Sequence, residues 1–307
     1  MPNEQKFECP AWLIARAQQV PPVRTAVIGA GAELVLQGVK SATEASLIEP
    51  VLVGSESEIR EAAAGIGWDI ADIEIHAADE DTAAVGVSLA REGRVAALMK
   101  GNVRTAELMR AAVDRTRGIR SKRRPSHIFH MTAPGHDKSL CITDAVINVL
   151  PKVRQKLEIA ANAVDLMHAL GNDKPNVALL SATEVPTAQM PSSIDAQEIA
   201  ARAAAGEIVD ANVAGPMALD VAVSSSAAEI KGVTNSVAGN ADVLLVPNIE
   251  AGNILFKQMV HFMSATAAGI VVGLTVPIAL TSRSDPPEAR LASAALASIY
   301  AGHCDLT

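Results

Sequence analysis

The sequence predicts an α/β protein built on parallel sheets, and three observations carry that prediction. Short β-branched runs alternate with longer Ala-rich amphipathic stretches along most of the 307 residues, the pattern of strands linked by crossover helices. Hydrophobic residues make up 49% of the chain but aromatic ones only 2%. The interior is therefore filled by Ala, Val, Ile and Leu, which suits tight helix-on-sheet layers. At about 150 residues per domain, the length points to two domains.

The elements follow in order. TAVIGA (25–30) reads as a strand, 33–45 as a helix, PVLVG (50–54) as a strand and 57–64 as a helix opened by a serine cap. ADIEIHA (71–77) is a strand, 81–92 a helix and VAALM (95–99) a strand. A helix starts at Arg104 and runs into a basic segment. SHIFHM (126–131) and SLCITDA (139–145) then form two strands joined by a turn at Pro134-Gly135, which breaks the parallel rhythm and marks a domain boundary. A long helix from Pro151 ends at Gly171, and VALLSA (177–182), VLLVPN (243–248), GIVVGLTV (269–276) and PIALTS (277–282) are strands. Residues 287–300 close the chain as an Ala-rich helix. The predicted division is 1–125 with 281–307 as one domain and 126–280 as the other, the second carrying the dimer contact.

Charge and composition exclude several functions. Lys+Arg 26 against Asp+Glu 34 gives a net charge of -8, which repels a phosphate polymer, and two Trp with one Tyr supply few stacking platforms for single-stranded nucleic acid. Residues 258–282 carry no Asp, Glu, Lys or Arg and are long enough to cross a bilayer. Gln258, His261, Ser264, Thr266, Thr275 and Pro277 interrupt them, so buried strands fit better than a membrane span. Cys9, Cys141 and Cys304 form neither a disulfide framework nor a zinc spacing, and no secretory signal is visible. A cytoplasmic protein is expected.

In open parallel sheets ligands sit beyond the carboxyl ends of strands, and five such places stand out. Gly29-Ala30-Gly31 follows the first strand, but Leu34 stands where a dinucleotide fingerprint needs its third glycine, so a tight turn is the better reading. Lys100-Gly101-Asn102 follows the fourth strand, where Gly101 lets backbone amides approach an anion. Arg110 lies on the helix beyond. Residues 104–124 hold eight basic residues against Glu107 and Asp114, either a phosphate-binding edge or a solvated face. Asp144 ends the hairpin strand as a turn cap or a substrate-orienting carboxylate. Asn248 to Asn253, with Gly252, open a helix N-terminus suited to an anion, with Asn248 as a simple N-cap the alternative. Thr281-Ser282-Arg283-Ser284-Asp285 delivers hydroxyl, guanidinium and carboxylate groups into one turn, either a site or a cap for the last helix. His127 and His130 fall on opposite faces of a strand and cannot share a metal. No metal site is predicted, and Cys141 reads as an inert buried thiol.

KGNV with ELMRA, then SHIFHM, ITDAVINVLP, VALLSATE, VAGNADVLLVPNIEAGN and PIALTSRSD occur in the order found in the phosphate acetyltransferase/phosphate butyryltransferase family, which the chain resembles from about Arg24 to Ala297. The KGN and TSRSD forms look more like the butyryl-type branch. The resemblance implies an isocitrate/isopropylmalate dehydrogenase-like fold of two α/β domains around a cleft, commonly a homodimer. It implies reversible acyl transfer between coenzyme A and inorganic phosphate, with CoA as substrate and no resident cofactor. Ser282 and Arg283 match the family's Ser-Arg pair, Arg110 its helix arginine, and Gly252 and Asn253 its late anion-binding turn. On that footing Arg110 and Arg283 hold phosphate, assisted by Lys100. Ser282 donates to the carbonyl oxygen, and Asp285 or Glu288 handles the thiol proton.

The chain departs from the acetyl-type pattern at four places, one being an arginine common after the first strand that has no counterpart near Glu33. Ala289 stands seven residues after the serine where an aspartate base is usual, Asn248 replaces an aspartate, and Ala214 precedes Gly215 where Asp-Gly is common. Two other readings follow: a CoA-binding relative without turnover, and a metal-requiring NAD-dependent dehydrogenase on the related fold. Poor clustering of aspartates at strand ends speaks against the dehydrogenase.

Overall fold

The computed structural model of the chain describes residues 7–282 and 285–304. It divides into two compact units: unit 1 takes the chain up to Arg123 and again from Thr266, and unit 2 is Arg124–Ala265.

Unit 1 begins with helix α1 (Ala11–Ala17) and strand β1 (Val23–Ile28), followed by α2 (Glu33–Glu44), β2 (Ile48–Gly54), α3 (Glu56–Gly65), β3 (Glu74–Ala77), α4 (Thr82–Arg91), β4 (Ala97–Lys100) and α5 (Thr105–Ala112). The strands β3, β2, β1 and β4 lie side by side and parallel. Ala26, Val27 and Ile28 are all fully buried, so β1 is covered on both faces and reads as an unbroken apolar run. On α2 the buried Val35, Leu36, Val39 and Ala42 repeat at helical spacing and form one core-facing stripe. The serine cap expected on α3 does not form. Ser55 stands at the N-cap, but its hydroxyl meets Ser57 Oγ at 3.1 Å instead of the helix amides.

Unit 2 starts with the hairpin β5 (Ser126–Thr132) and β6 (Leu140–Thr143), antiparallel with His130 opposite Cys141. It continues through α6 (Val153–Ala169), β7 (Asn176–Leu180), α7 (Pro191–Arg202), β8 (Asn212–Met217), α8 (Leu219–Val223), α9 (Ser225–Ile230), β9 (Val243–Leu245) and α10 (Ile249–Met263). Its strands run in the order β5-β6-β9-β7-β8, and β6, β9, β7 and β8 are parallel.

The chain re-enters unit 1 at β10 (Thr266–Val272), turns into β11 (Ile278–Ala279) and ends in α11 (Pro287–Cys304). The sequence places residues 266–280 in the second domain and gives 269–276 and 277–282 as two short strands. Instead β10 stops before Gly273, whose φ of 80° permits a turn that a side chain disfavours, and pairs antiparallel with the two-residue β11. β11 lies parallel beside β4, and the Gly269 amide donates to Ser293 Oγ of α11 at 2.9 Å. An apolar run buried on both faces has no alternation to reveal which sheet it joins. No helix among the described residues is long and apolar enough to cross a membrane.

Candidate active site

In unit 1 the chain leaves β1 toward β2 and β3 and returns on the other side as β4. Ligands in open parallel sheets bind at such a reversal, beyond the carboxyl ends of the strands. The residues after β4 and β11 meet here. Lys100, 3% exposed, donates from Nζ to the carbonyls of Gly101 and Thr281, both at 3.3 Å. Arg290 of α11, 2% exposed, donates from Nη1 to Thr281 Oγ1 at 2.9 Å and from Nη2 to the Ser282 carbonyl at 3.0 Å. The Ser282 amide donates to Asp285 Oδ2 at 2.7 Å and closes the turn. Two cations thus support this turn from below, while Ser282 itself is exposed.

Burial pushes the Asp285 carboxyl above its ordinary range, against the Ser282 amide and the Arg290 and Lys100 charges, which pull it down. Burial likewise lowers Arg290, against Asp285. A carboxylate whose proton affinity is raised in this way is suited to accept and return a proton. Arg283 lies outside the described residues. Ala289 is buried and Glu288 exposed in the first turn of α11.

The phosphate cradle expected at Gly101 is not formed by its amides. The Gly101 amide donates to Ile28 O at 2.8 Å and the Asn102 amide to Gly29 O at 2.7 Å. A Cβ on Gly101 would lie 2.3 Å from Gly29 O, so glycine is required there by one backbone crossing another. The Asn102 side chain is exposed just beyond. Arg110 lies elsewhere in unit 1, in a groove of about 450 Å³ between α4 and α5 that Arg91, Arg117, Asp81, Glu107 and Asp114 also line. The amides of Arg117 and Thr116 with the Thr116 hydroxyl hold Asp114 down to about 2.

In unit 2 the structure brings Asp144, Gly252 and Asn253 together, in roles that hold the chain. Asp144, 3% exposed, accepts from the amides of His127 (3.0 Å), Val146 (2.8 Å) and Ile147 (2.9 Å) and from Asn148 Nδ2 (2.6 Å). Both its oxygens accept hydrogen bonds within the turn after β6 and from β5, the arrangement of the turn cap, one of the two readings the sequence offers. A Cβ on Gly252 would lie 3.0 Å from Asp144 O and Ala145 Cα, and Asn253 Nδ2 reaches Ala145 O at 3.4 Å. Asn248 is the N-cap of α10, accepting from the Ala251 amide at 2.9 Å.

Sequence reasoning missed Arg290. The signal was a lone arginine in a helix otherwise buried as Ala, Ser, Leu, Ile and Tyr from Ala289 to Ala301, a place where a charge occurs only with partners. The thiol of Cys141 is pushed up to about 12 by burial and by Asp242. Among the described residues no group of three or more His, Cys, Asp or Glu is placed to hold a metal ion.

Residues 76–298 match the family described as phosphate acetyl/butaryl transferase. The chain belongs to that family. A phosphate acetyltransferase from Rhizobium meliloti is 45% identical over 295 residues, 94% of this chain and 92% of that protein. A phosphate butyryltransferase from Clostridium beijerinckii is 39% identical over 94% of this chain and 96% of its own length. The crystal structure of a branched-chain phosphotransacylase from Enterococcus faecalis V583 is 29% identical, with a TM-score of 0.78 over 91% of this chain and 99% of that one. As a member of the phosphate acetyl/butyryl transferase family, the chain is an acyltransferase on an α/β fold with parallel-rich sheets.

Proposed function

We propose that this acyltransferase moves a short acyl group reversibly between coenzyme A and inorganic phosphate, acyl-CoA plus phosphate giving acyl phosphate plus CoA. The observation that carries the reading is the Thr281–Ser282 turn, locked by Lys100, Asp285 and Arg290 at the ends of β4 and β11 in a member of this family.

Toward acyl phosphate, a phosphate oxygen attacks the thioester carbonyl carbon, the carbonyl oxygen gains charge, and the C–S bond breaks to release thiolate, which takes a proton. The exposed Ser282 hydroxyl donates to that developing oxyanion. Asp285 returns the proton to the thiolate, and in the reverse direction removes it from the CoA thiol before the thiolate attacks acyl phosphate. With Ala289 buried and apolar where acetyl-type members carry an acid, Asp285 is favoured over Glu288, which is exposed. Arg283 binds the reacting phosphate, and the exposed Asn102 contacts substrate beyond β4. Lys100, spent on two carbonyls, contributes its charge. Asp144 shapes the loop on which Gly252 and Asn253 pack. CoA enters as a substrate, and the enzyme acts in the cytoplasm as a homodimer without a resident cofactor or metal.

Incubation with C2 to C6 acyl-CoAs and phosphate, read with a thiol reagent, is expected to release thiol in a phosphate-dependent way with at least one of them. No release across the panel overturns the reading. Stabilisation by CoA without turnover would instead support a CoA-binding relative, which the departures at Ala289, Asn248 and Ala214 favour. Sedimentation gives the oligomeric state.

A further inference from the structure

We propose that Arg290 is the positioning residue of the active turn: it holds Thr281 and Ser282 from beneath and so fixes where the Ser282 hydroxyl and the Asp285 carboxylate stand. The inference rests on the proposed reaction for its catalytic meaning and on geometry for its substance. One planar guanidinium spans two acceptors on successive residues, Thr281 Oγ1 at 2.9 Å and Ser282 O at 3.0 Å. A lysine, with a single nitrogen, does not reproduce that fork. Placing a cation in the apolar interior of α11 works against stability, and a leucine would fill the site more favourably, so the arginine is explained by what it grips. The neighbouring helix is adapted to it: a Cβ on Gly38 of α2 would lie 2.8 Å from Arg290 Cβ and 3.0 Å from its Cδ.

Arg290 also acts through charge. Among the described residues, the charged groups acting on Asp285 are Arg290 in α11 and Lys100 at the end of β4, and both favour its carboxylate form. Glu288, in the first turn of α11, acts on the half-buried Cys9 thiol.

The test compares the full-length protein with Arg290→Met, Arg290→Lys and Gly38→Ala, measuring acyl-transfer kinetics and the titration of the Asp285 carboxyl by NMR. Arg290→Met is expected to lower kcat roughly tenfold to hundredfold, with KM for acyl-CoA and phosphate changed less than about threefold. Its Asp285 is expected to titrate at higher pH, having lost a facing cation. Arg290→Lys keeps the charge and loses the fork, so Asp285 titrates as in the parent protein while kcat stays low. Gly38→Ala leaves the guanidinium chemically intact but displaces its stem, and lowers kcat in the same way. If Arg290→Met does not fold, the other two variants decide alone. A folded Arg290→Met with kcat within twofold of the parent and an unchanged Asp285 titration overturns the proposal, as does a rise in KM alone. A parent protein that releases no thiol overturns the proposed reaction. The Asp285 titration then decides the role of Arg290 alone, and no shift in Arg290→Met overturns it.

Discussion

The Asn102 amide donates to the Gly29 carbonyl at 2.7 Å, directly after the Gly101 amide has donated to Ile28 O at 2.8 Å. The loops that follow β1 and β4 are thereby one backbone unit, and Lys100 is aimed from it toward Thr281. Gly101→Ala would put a Cβ 2.3 Å from Gly29 O, against backbone that has no flexible end to move. The expected loss is about 3 kcal/mol, at the upper part of the range for overpacking, read as a lower urea midpoint with an unchanged slope. Phosphate should not restore it, because these amides are already spent.

Asp144→Asn separates a structural carboxylate from a substrate contact. The native side chain accepts four hydrogen bonds while nearly fully buried. The amide keeps one acceptor oxygen and turns two donors toward groups that are themselves donors. A loss of about 3 kcal/mol is expected, as for a broken buried hydrogen-bonded charge. In the fraction that remains folded, KM for phosphate and acyl-CoA should be near that of the parent. A raised KM with unchanged denaturation would return Asp144 to the substrate.

The parallel core of unit 1 was legible because its strands are short apolar runs separated by amphipathic helices, and the family because its motifs lie in order from one end to the other. The return at β10 was not legible: residues 266–272 are buried throughout on both faces, and pairing partners leave no mark in such a run. At the site, sequence position identified the turn after β11 but not its support. Arg290 lies eight residues beyond Ser282 and reaches back only because one turn folds against the first turns of α11. Asp144 and Gly101 each leave two uses open in the sequence, since polar and glycine residues at strand ends serve both ligands and backbone. Only the hydrogen-bond partners distinguish the two uses.

Asp285→Asn should uncouple stability from activity. Burial raises the carboxyl of Asp285 in the folded chain, so between its ordinary value and the raised one the folded state binds more protons than the unfolded state. Stability contributed by this group therefore falls as pH rises through that window and stays lower above it. The amide resembles the protonated acid and keeps an acceptor for the Ser282 amide. Urea unfolding is expected to show the variant at least as stable as the parent at neutral pH, with no advantage well below the ordinary carboxylate range. Turnover should drop about a hundredfold or more, as for loss of a general base. A variant less stable at neutral pH would mean that Lys100 and Arg290 outweigh the burial of this carboxylate.

His130 gives the opposite sign in unit 2. It sits in β5 at 1% exposure, and burial pushes its imidazole down to about 4 from 6.5. The folded chain holds the ring neutral while the unfolded chain protonates it, so the unfolded state binds more protons between these values. Its contribution to stability is complete above about 6.5 and is lost as pH falls toward about 4. The whole loss is on the order of 3 kcal/mol at 1.36 kcal/mol per unit. Urea unfolding from pH 7 to pH 4 should show stability declining across this window, and His130→Leu should flatten that decline. Equal slopes in the two proteins would assign the acid sensitivity to other groups, because a leucine at this position has no proton to take up.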